Sequence, residues 1–266
     1  MILLFDIGNT NTHLGLANST RVFKQANLPT QTFFSQTAFG FVKKFIGHSQ
    51  LTGAAFCSVV PRATPFAKKI VRENWKLNCL ELNPKSVRGV GIDYPNPKSI
   101  GADRLANAVA IHKHFGAPAV VVDFGTAVTF DVIDKNGNYV GGIIAPGLAA
   151  MTEYLHEKTA LLPKIKIRET KSIIGKDTEE AMLIGAVRGY RGLIRELILE
   201  LKREMKVRRL PVVATGGYAK LIAAKMPEIS AVEPLLTLEG LRLVWLSHCP
   251  VSNLKLQTGN SKLISK

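Results

Sequence analysis

The chain has 266 residues, 46% of them apolar and 21% charged, which supplies one large core or two modest ones and excludes a disordered chain. Its 35 Lys and Arg against 20 Asp and Glu give a net charge of +15, a surface that attracts nucleotides, carboxylate metabolites, nucleic acid or acidic membranes without selecting among them. Three cysteines, Cys57, Cys79 and Cys249, lack CxxC or Cys/His ligand spacing, so a disulfide scaffold and a zinc site are excluded and a reducing cytoplasmic compartment is expected.

The first element is an apolar run that meets Asp6 too early for a signal peptide, and no later run approaches the roughly 18 apolar residues of a membrane span. Residues 2–16 read ILLFDIGNTNTHLGL: a strand, an Asp-x-Gly loop and a second strand, with a turn at Ala17-Asn18-Ser19. Ala54–Val60 predicts another strand, followed by a helix over Pro65–Trp75. Ala102–His114 predicts a helix with Leu105, Ala106, Val109 and Ala110 on one face, closed by Gly116-Ala117-Pro118.

Residues 119–133, AVVVDFGTAVTFDVI, then repeat the opening. Asp6, Gly8, Asn9 and Thr12 match Asp123, Gly125, Thr126 and Thr129 at a constant offset of 117, and a turn again follows at Asp134–Gly137. Thr178–Met205 reads as one long helix with Leu193, Leu197 and Leu201 every four residues. Gly185, Gly189 and Gly192 interrupt it, marking either a close helix contact, such as a dimer axis, or a weak, kinked helix. Leu210–Gly217 is a late strand with a helix over Tyr218–Met226 behind it, echoing Ala54–Trp75. Strands alternating with helices in two similar halves give an α/β fold with a duplicated domain: 1–116, 117–250, and a basic tail, 251–266, expected to be poorly ordered.

Common nucleotide signatures are missing: no G-x-x-x-x-G-K-[ST] loop, no strand followed by G-x-G-x-x-G, and no kinase H-R-D or D-F-G set. The two Asp-x-Gly loops offer another route to phosphate. Glycine lets backbone N–H groups approach an anion, Asn9, Thr10 and Thr12 add donors, and Asp6 at a strand end suits Mg²⁺ beside phosphates. Gly216-Gly217 lets backbone lie close to a base or ribose. One D-x-G alone is usually a turn, but two matched copies point to a site.

Asp6-Ile-Gly-Asn-Thr10 with Asp123-Phe-Gly-Thr126 resembles the phosphate loops of the acetate kinase, sugar kinase, Hsp70 and actin superfamily. Tyr94-Pro-Asn-Pro97, Ile100-Gly-Ala-Asp-Arg104-Leu-Ala-Asn107, Gly141-Gly142 through Pro146-Gly147, Ile174-Gly-Lys-Asp-Thr178, Ala214-Thr-Gly-Gly217 and Leu238-Glu-Gly-Leu241 narrow the resemblance to type III pantothenate kinases, over about residues 1–245. The resemblance implies two ribonuclease-H-like (actin-like ATPase) domains with mixed sheets around an ATP cleft. It also implies phosphorylation of pantothenate to 4'-phosphopantothenate, the first step of coenzyme A synthesis, in a homodimer whose substrate residues come from both subunits.

By the same resemblance, Asp6, Ile7, Gly8, Asn9, Thr10, Asn11, Thr12 and His13 bind ATP together with Thr126. Tyr94, Gly101, Ala102, Asp103, Arg104 and Thr178 bind pantothenate, and Asp103 is the catalytic base. Asp123 holds a monovalent cation, K⁺ or NH₄⁺, while Asp6 meets Mg²⁺ directly, through water or through the phosphates. No membrane and no specific nucleic acid are expected as partners.

Four further expectations concern particular residues. Asp103 falls in the first turn of its helix, where the dipole lowers a carboxylate pKa, so orientation of the nucleophile is expected to matter at least as much as proton removal. Arg104 is available to an anionic substrate group or, equally, to a Glu or solvent. Val128 stands where the family more often has Thr, which predicts one hydroxyl fewer at the second phosphate loop. His112 and His114 read as packing or surface residues. The alternatives are a non-catalytic regulatory relative of the transcriptional accessory type, or another phosphotransferase acting on a sugar, acetate or polyphosphate. The charge splits into +7 for residues 1–133 and +8 for 134–266, with no compact basic arm to favour nucleic acid.

Overall fold

The computed structural model describes residues 1–35 and 37–249. The two echoing segments each open a five-strand order. In the first sheet, β1 (Ile2–Ile7), β2 (Asn11–Ala17), β3 (Val22–Pro29), β4 (Gly53–Ser58) and β5 (Cys79–Glu81) lie in the order β3-β2-β1-β4-β5. Strands β1 to β3 form an antiparallel meander, and β4 and β5 run parallel to β1. The second sheet adds β6 (Gly91–Ile92) to the edge of a repeat of this pattern. Its strands β7 (Ala119–Phe124), β8 (Ala127–Ile133), β9 (Asn138–Pro146), β10 (Val212–Thr215) and β11 (Ala231–Val232) lie in the order β11-β10-β7-β8-β9-β6. The same mixed order twice in one chain is the expected pair of ribonuclease-H-like sheets.

Strand alternation sorts the side chains into three cores. From β1, Leu3, Phe5 and Ile7 enter a core with α1 (Thr37–Ile46) and α2 (Thr64–Trp75). From β7, Val120, Val122 and Phe124 enter another with α4 (Leu148–Lys158), α6 (Tyr190–Glu204) and α7 (Ala219–Ala223). The opposite faces, Ile2 and Leu4 of one sheet and Ala119 and Val121 of the other, share a central core with α3 (Ala102–Phe115) and α8 (Leu236–His248). The result is five layers, helix–sheet–helix–sheet–helix.

The central layer changes two details. Residues Leu105–Ile111 of α3 are all buried, not one face of them, because a sheet covers each side and small alanines permit the approach. The chain also crosses between sheets: β6 precedes Gly116 yet joins the second sheet, and α8 follows β11 yet packs on β1, β2 and β4.

The long C-terminal helix runs from α5 (Thr178–Ile184) through a π-helical turn at Gly185–Gly189 into α6. Outside the local helix, a methyl group added at Gly185, Gly189 or Gly192 would meet no atom of the described residues within 4 Å. Within the chain these glycines accompany a helix distortion and not a close contact. The expected helix over 218–226 is a shorter α7, and the expected tail, 251–266, lies outside the described residues.

Candidate active site

The carboxyl ends of β1 and β7 and the amino end of α3 converge on the central layer. Asp6 and Asp123 occupy corresponding places, each one residue before the end of its strand and facing α3. Asp103 stands in the first turn of α3, behind Gly101 at the cap. Each keeps some solvent-accessible surface, as a ligand site requires, while protein atoms enclose most of the rest.

Burial raises the pKa of all three carboxylates, and charge crowding adds to it at Asp6 and Asp123. Burial, then the Asp103 charge, lifts Asp6 to about 7, against the opposing effect of the Cys57 thiol, which donates to Asp6 Oδ1 at 3.4 Å. Burial lifts Asp123 to about 7 as well, with Asp6, Asp131 and Asp103 adding to it and Asn107 opposing. Asp103 is also raised, because burial outweighs the Arg104 backbone N–H at 2.8 Å and the Arg104 charge. The expectation of a dipole-lowered Asp103 is therefore corrected: desolvation exceeds the helix end, and the carboxylate is a stronger base than its position in the first turn predicts.

Around Asp6 the first loop is tight. Gly8 N–H donates to the Asn11 carbonyl at 3.1 Å, which leaves Asn9, Thr10 and Asn11 exposed at the turn. Ile7 is buried in the outer core, and Thr12 is fully buried. The Thr12 hydroxyl lies 3.0 Å from that of Thr30, which donates to the Gly8 carbonyl at 2.6 Å. Thr12 thus braces the loop from beneath and does not present its hydroxyl at the surface. His13 is the cross-strand neighbour of Asp6, exposed on the same face, with Nδ1 2.7 Å from Asn27 Oδ1.

The second loop faces the first. Thr126 Oγ1 lies 3.3 Å from Thr10 Oγ1 although 116 residues separate them. Gly216, at φ +89°, closes over the carboxyl end of β7, and a Cβ there would stand 2.5 Å from Asp123 Oδ1 and 2.7 Å from Phe124 N. Its glycine is demanded by this internal approach; Gly217 beside it faces open space. Val128 is fully buried in the core beneath α4 and α6, on the opposite face of the sheet from Asp123. Its missing hydroxyl therefore takes nothing from the phosphate loop, contrary to expectation.

Beside Asp103, Arg104 is committed within the protein. Its Nε donates to Asp131 Oδ1 at 2.5 Å and its Nη2 to the Phe130 carbonyl at 2.5 Å. Tyr94, partly exposed, packs edge-on against Tyr139 with ring centres 6.0 Å apart. Thr178 is not brought to this cluster by a hydrogen bond among the described residues. It is exposed in the first turn of α5, behind a capping box in which Asp177 accepts from Glu180 N–H at 2.7 Å and Glu180 accepts from Lys176 N–H at 2.9 Å.

The outlying histidines are structural. His112 Nδ1 lies 2.8 Å from the Gly89 carbonyl oxygen, and His114 Nε2 lies 3.0 Å from Glu239. Sequence reasoning missed Asp131, Asn107, Thr237 and Cys57. One signal was present: a single charged residue in the apolar strand VTFDVI, at the same parity as Thr129 and hence on the site's face.

The donor set suits hard cations held together with phosphates. Among the described residues no three His, Cys, Asp or Glu form a metal cage alone, yet Asp6 and Asp123 are crowded carboxylates and the nearby cation, Arg104, is already paired with Asp131. Ions completing their shells with phosphate and water fit such a site.

A model of the type III pantothenate kinase family matches residues 2–200. A type III pantothenate kinase of Akkermansia muciniphila is 46% identical over 91% of this chain and 96% of its own length. One from Methylacidiphilum infernorum is 42% identical over 91% of this chain and 87% of its own. A solved Campylobacter jejuni protein, described as a conserved putative Baf family transcriptional activator, shares the fold at 20% identity, with a TM-score of 0.58 over 92% of this chain and 98% of its own. With the duplicated sheets, the paired aspartates and these matches together, the chain belongs to the type III pantothenate kinase family.

Proposed function

We propose that the protein carries out its family's reaction, the ATP-dependent phosphorylation of pantothenate in coenzyme A biosynthesis, in the cleft between the two Asp-x-Gly loops. The observation that carries this reading is the meeting of Asp6, Asp123 and Asp103 where both loops face each other. Domains 1–116 and 117–250 would supply one loop each.

In this reading the phosphates of ATP lie along Asp6–His13 and Thr126, with the adenosine toward Gly217 and Tyr218. These two residues follow β10 beside a cavity of about 350 Å³ that Ala149, Thr152, Lys166 and Tyr218 help to line. Asp6 would meet Mg²⁺ and Asp123 a K⁺ or NH₄⁺ ion, and these ions, when bound, neutralise phosphate and carboxylate charge. Pantothenate would meet Tyr94 and Gly101–Arg104. Asp103 accepts the hydrogen bond of the primary hydroxyl, whose oxygen bonds to the γ-phosphorus as the bond to the bridging oxygen of ADP breaks. The proton passes to Asp103, which its raised pKa equips to hold it. Positioning and charge neutralisation supply most of the rate in such a loose transition state.

A cytoplasmic homodimer completes the reading. Thr178 is exposed, as are Ile173 and Ile174 shortly before it in sequence, at 65% and 66%, and Leu161 further back, at 90%. A second copy covering this apolar surface would bring its Thr178 to the acceptor site. The test is product identification with a panel of acceptors: pantothenate, hexoses, acetate and polyphosphate. Phosphopantothenate as the dominant product supports the reading, and preferential labelling of any other acceptor overturns it.

A further inference from the structure

Asp131 has no part in the chemistry above, yet it is fully buried and both of its oxygens are engaged. Oδ1 accepts from Arg104 Nε at 2.5 Å, and Oδ2 accepts from Asn107 Nδ2 at 3.2 Å. Arg104 and Asn107 are three residues apart on α3, so a single carboxylate of β8 grips one face of the helix within a turn of Asp103.

The guanidinium has two further contacts. Nη2 donates to the Phe130 carbonyl at 2.5 Å, and the guanidinium carbon lies 5.7 Å from the centre of the Tyr139 ring, which in turn carries Tyr94 on its edge. Gly142 leaves the room, since a Cβ there would strike both the Phe130 carbonyl and Arg104 Nη2. The Asn107 amide cannot turn over. Its Oδ1 accepts from the Thr237 hydroxyl at 2.8 Å, while its NH₂ faces Asp131 and, at 3.4 Å, Asp123.

We propose that Asp131 is a positioning residue for the phosphoryl acceptor: by fixing the Arg104 guanidinium over Tyr139, it sets where Asp103, Arg104 and Tyr94 meet the substrate. This inference rests on the reading of the cleft as a pantothenate site. A buried ion pair adds little net stability over an apolar pair of the same shape, and what the planar fork gains from Asp131 is a fixed direction.

The test is steady-state kinetics for both substrates with the full chain, using wild type, Asp131→Asn, Arg104→Met and the double variant. Asn at 131 keeps the shape but offers one acceptor where two are needed, so either Arg104 or Asn107 meets an NH₂ group. The expected result is a KM for pantothenate raised about tenfold or more, with the KM for ATP changed less than about twofold. In the Arg104→Met background, Asp131→Asn should cost less than about twofold further in kcat/KM for pantothenate, because the guanidinium it positions is gone.

Equal rises in both KM values, or full additivity of the two substitutions, would overturn the inference. Should Asp131→Asn alone not fold, comparison of Arg104→Met with the double variant decides the matter by the same criterion. A wild type without pantothenate turnover would overturn the reading of the cleft and this inference with it. An active wild type with an indifferent Asp131→Asn would overturn this inference alone.

Discussion

The hydroxyls of Thr10 and Thr126 stand 3.3 Å apart, one from each Asp-x-Gly loop, and mark the line on which the two halves of the chain meet. The loops touch there, so in the proposed reading a phosphate bound beside this contact meets hydroxyls from both. Thr126→Val removes one of these donors at nearly constant volume. We expect the KM for ATP to rise about 10–100-fold, the worth of one hydrogen bond to a charged group, with the KM for pantothenate little changed. Separate substrate titrations check this, and an unchanged KM for ATP would remove Thr126 from the phosphate site.

The burial of Asp6 and Asp123, with their charge crowding added, makes the unliganded site a source of instability. Both carboxyls are raised from ordinary values to about 7 in the folded protein. The folded state therefore binds protons that the unfolded chain releases, and its stability falls as pH rises from about 4 toward 7. Without ligands the protein should melt higher at pH 5.5 than at pH 8.

Neutralising either group should have the complementary effect. Asp123→Asn is expected to stabilise the unliganded protein at pH 8 by on the order of 1–2 kcal/mol while turnover collapses. Thermal melts with and without K⁺ and MgATP check it. A variant that melts lower at pH 8 would contradict the charge-crowding account.

Acceptor activation should show the raised pKa of Asp103 directly. Because the base must be ionised, kcat is expected to fall as pH drops, and to do so at a higher pH than an ordinary carboxylate would give. The pH profile of single-turnover rates at saturating substrates reports this. A rate flat down to the normal carboxylate range would restore the dipole-dominated view of this residue.

If Thr178 acts in the partner's site, two inactive proteins should rescue each other. Mixed under conditions that exchange subunits, Asp103→Asn and Thr178→Arg should regain about a quarter of wild-type activity, because random pairing puts both lesions in one of the two sites of half the dimers. Light scattering on the same samples gives the mass. Failure to complement, with dimers present, would place Thr178 outside the acceptor site.

Much of this was legible in the sequence because it rests on local chemistry. The repeat at an offset of 117 is a pair of strand–loop–strand units, and its matched spacing puts Asp6 and Asp123 at equivalent positions of equivalent strands. The apolar pattern over Ala102–His114 placed Asp103 in the first turn of a helix. What stayed hidden depends on long-range packing. The desolvation that outweighs the helix dipole at Asp103 arises only when both sheets close on α3, and Arg104 finds Asp131 across 27 residues of chain. Likewise Val128 reads as a lost hydroxyl in the sequence and as a core residue once the parity of β8 is fixed.

The most direct test of the central claim is ADP release at saturating MgATP and K⁺, with and without pantothenate, in wild type and in Asp103→Asn. The account predicts turnover that requires pantothenate and drops about 10²–10⁴-fold in the variant, with the KM for ATP preserved. Pantothenate-independent ADP release, or an Asp103→Asn enzyme as fast as wild type, would contradict it.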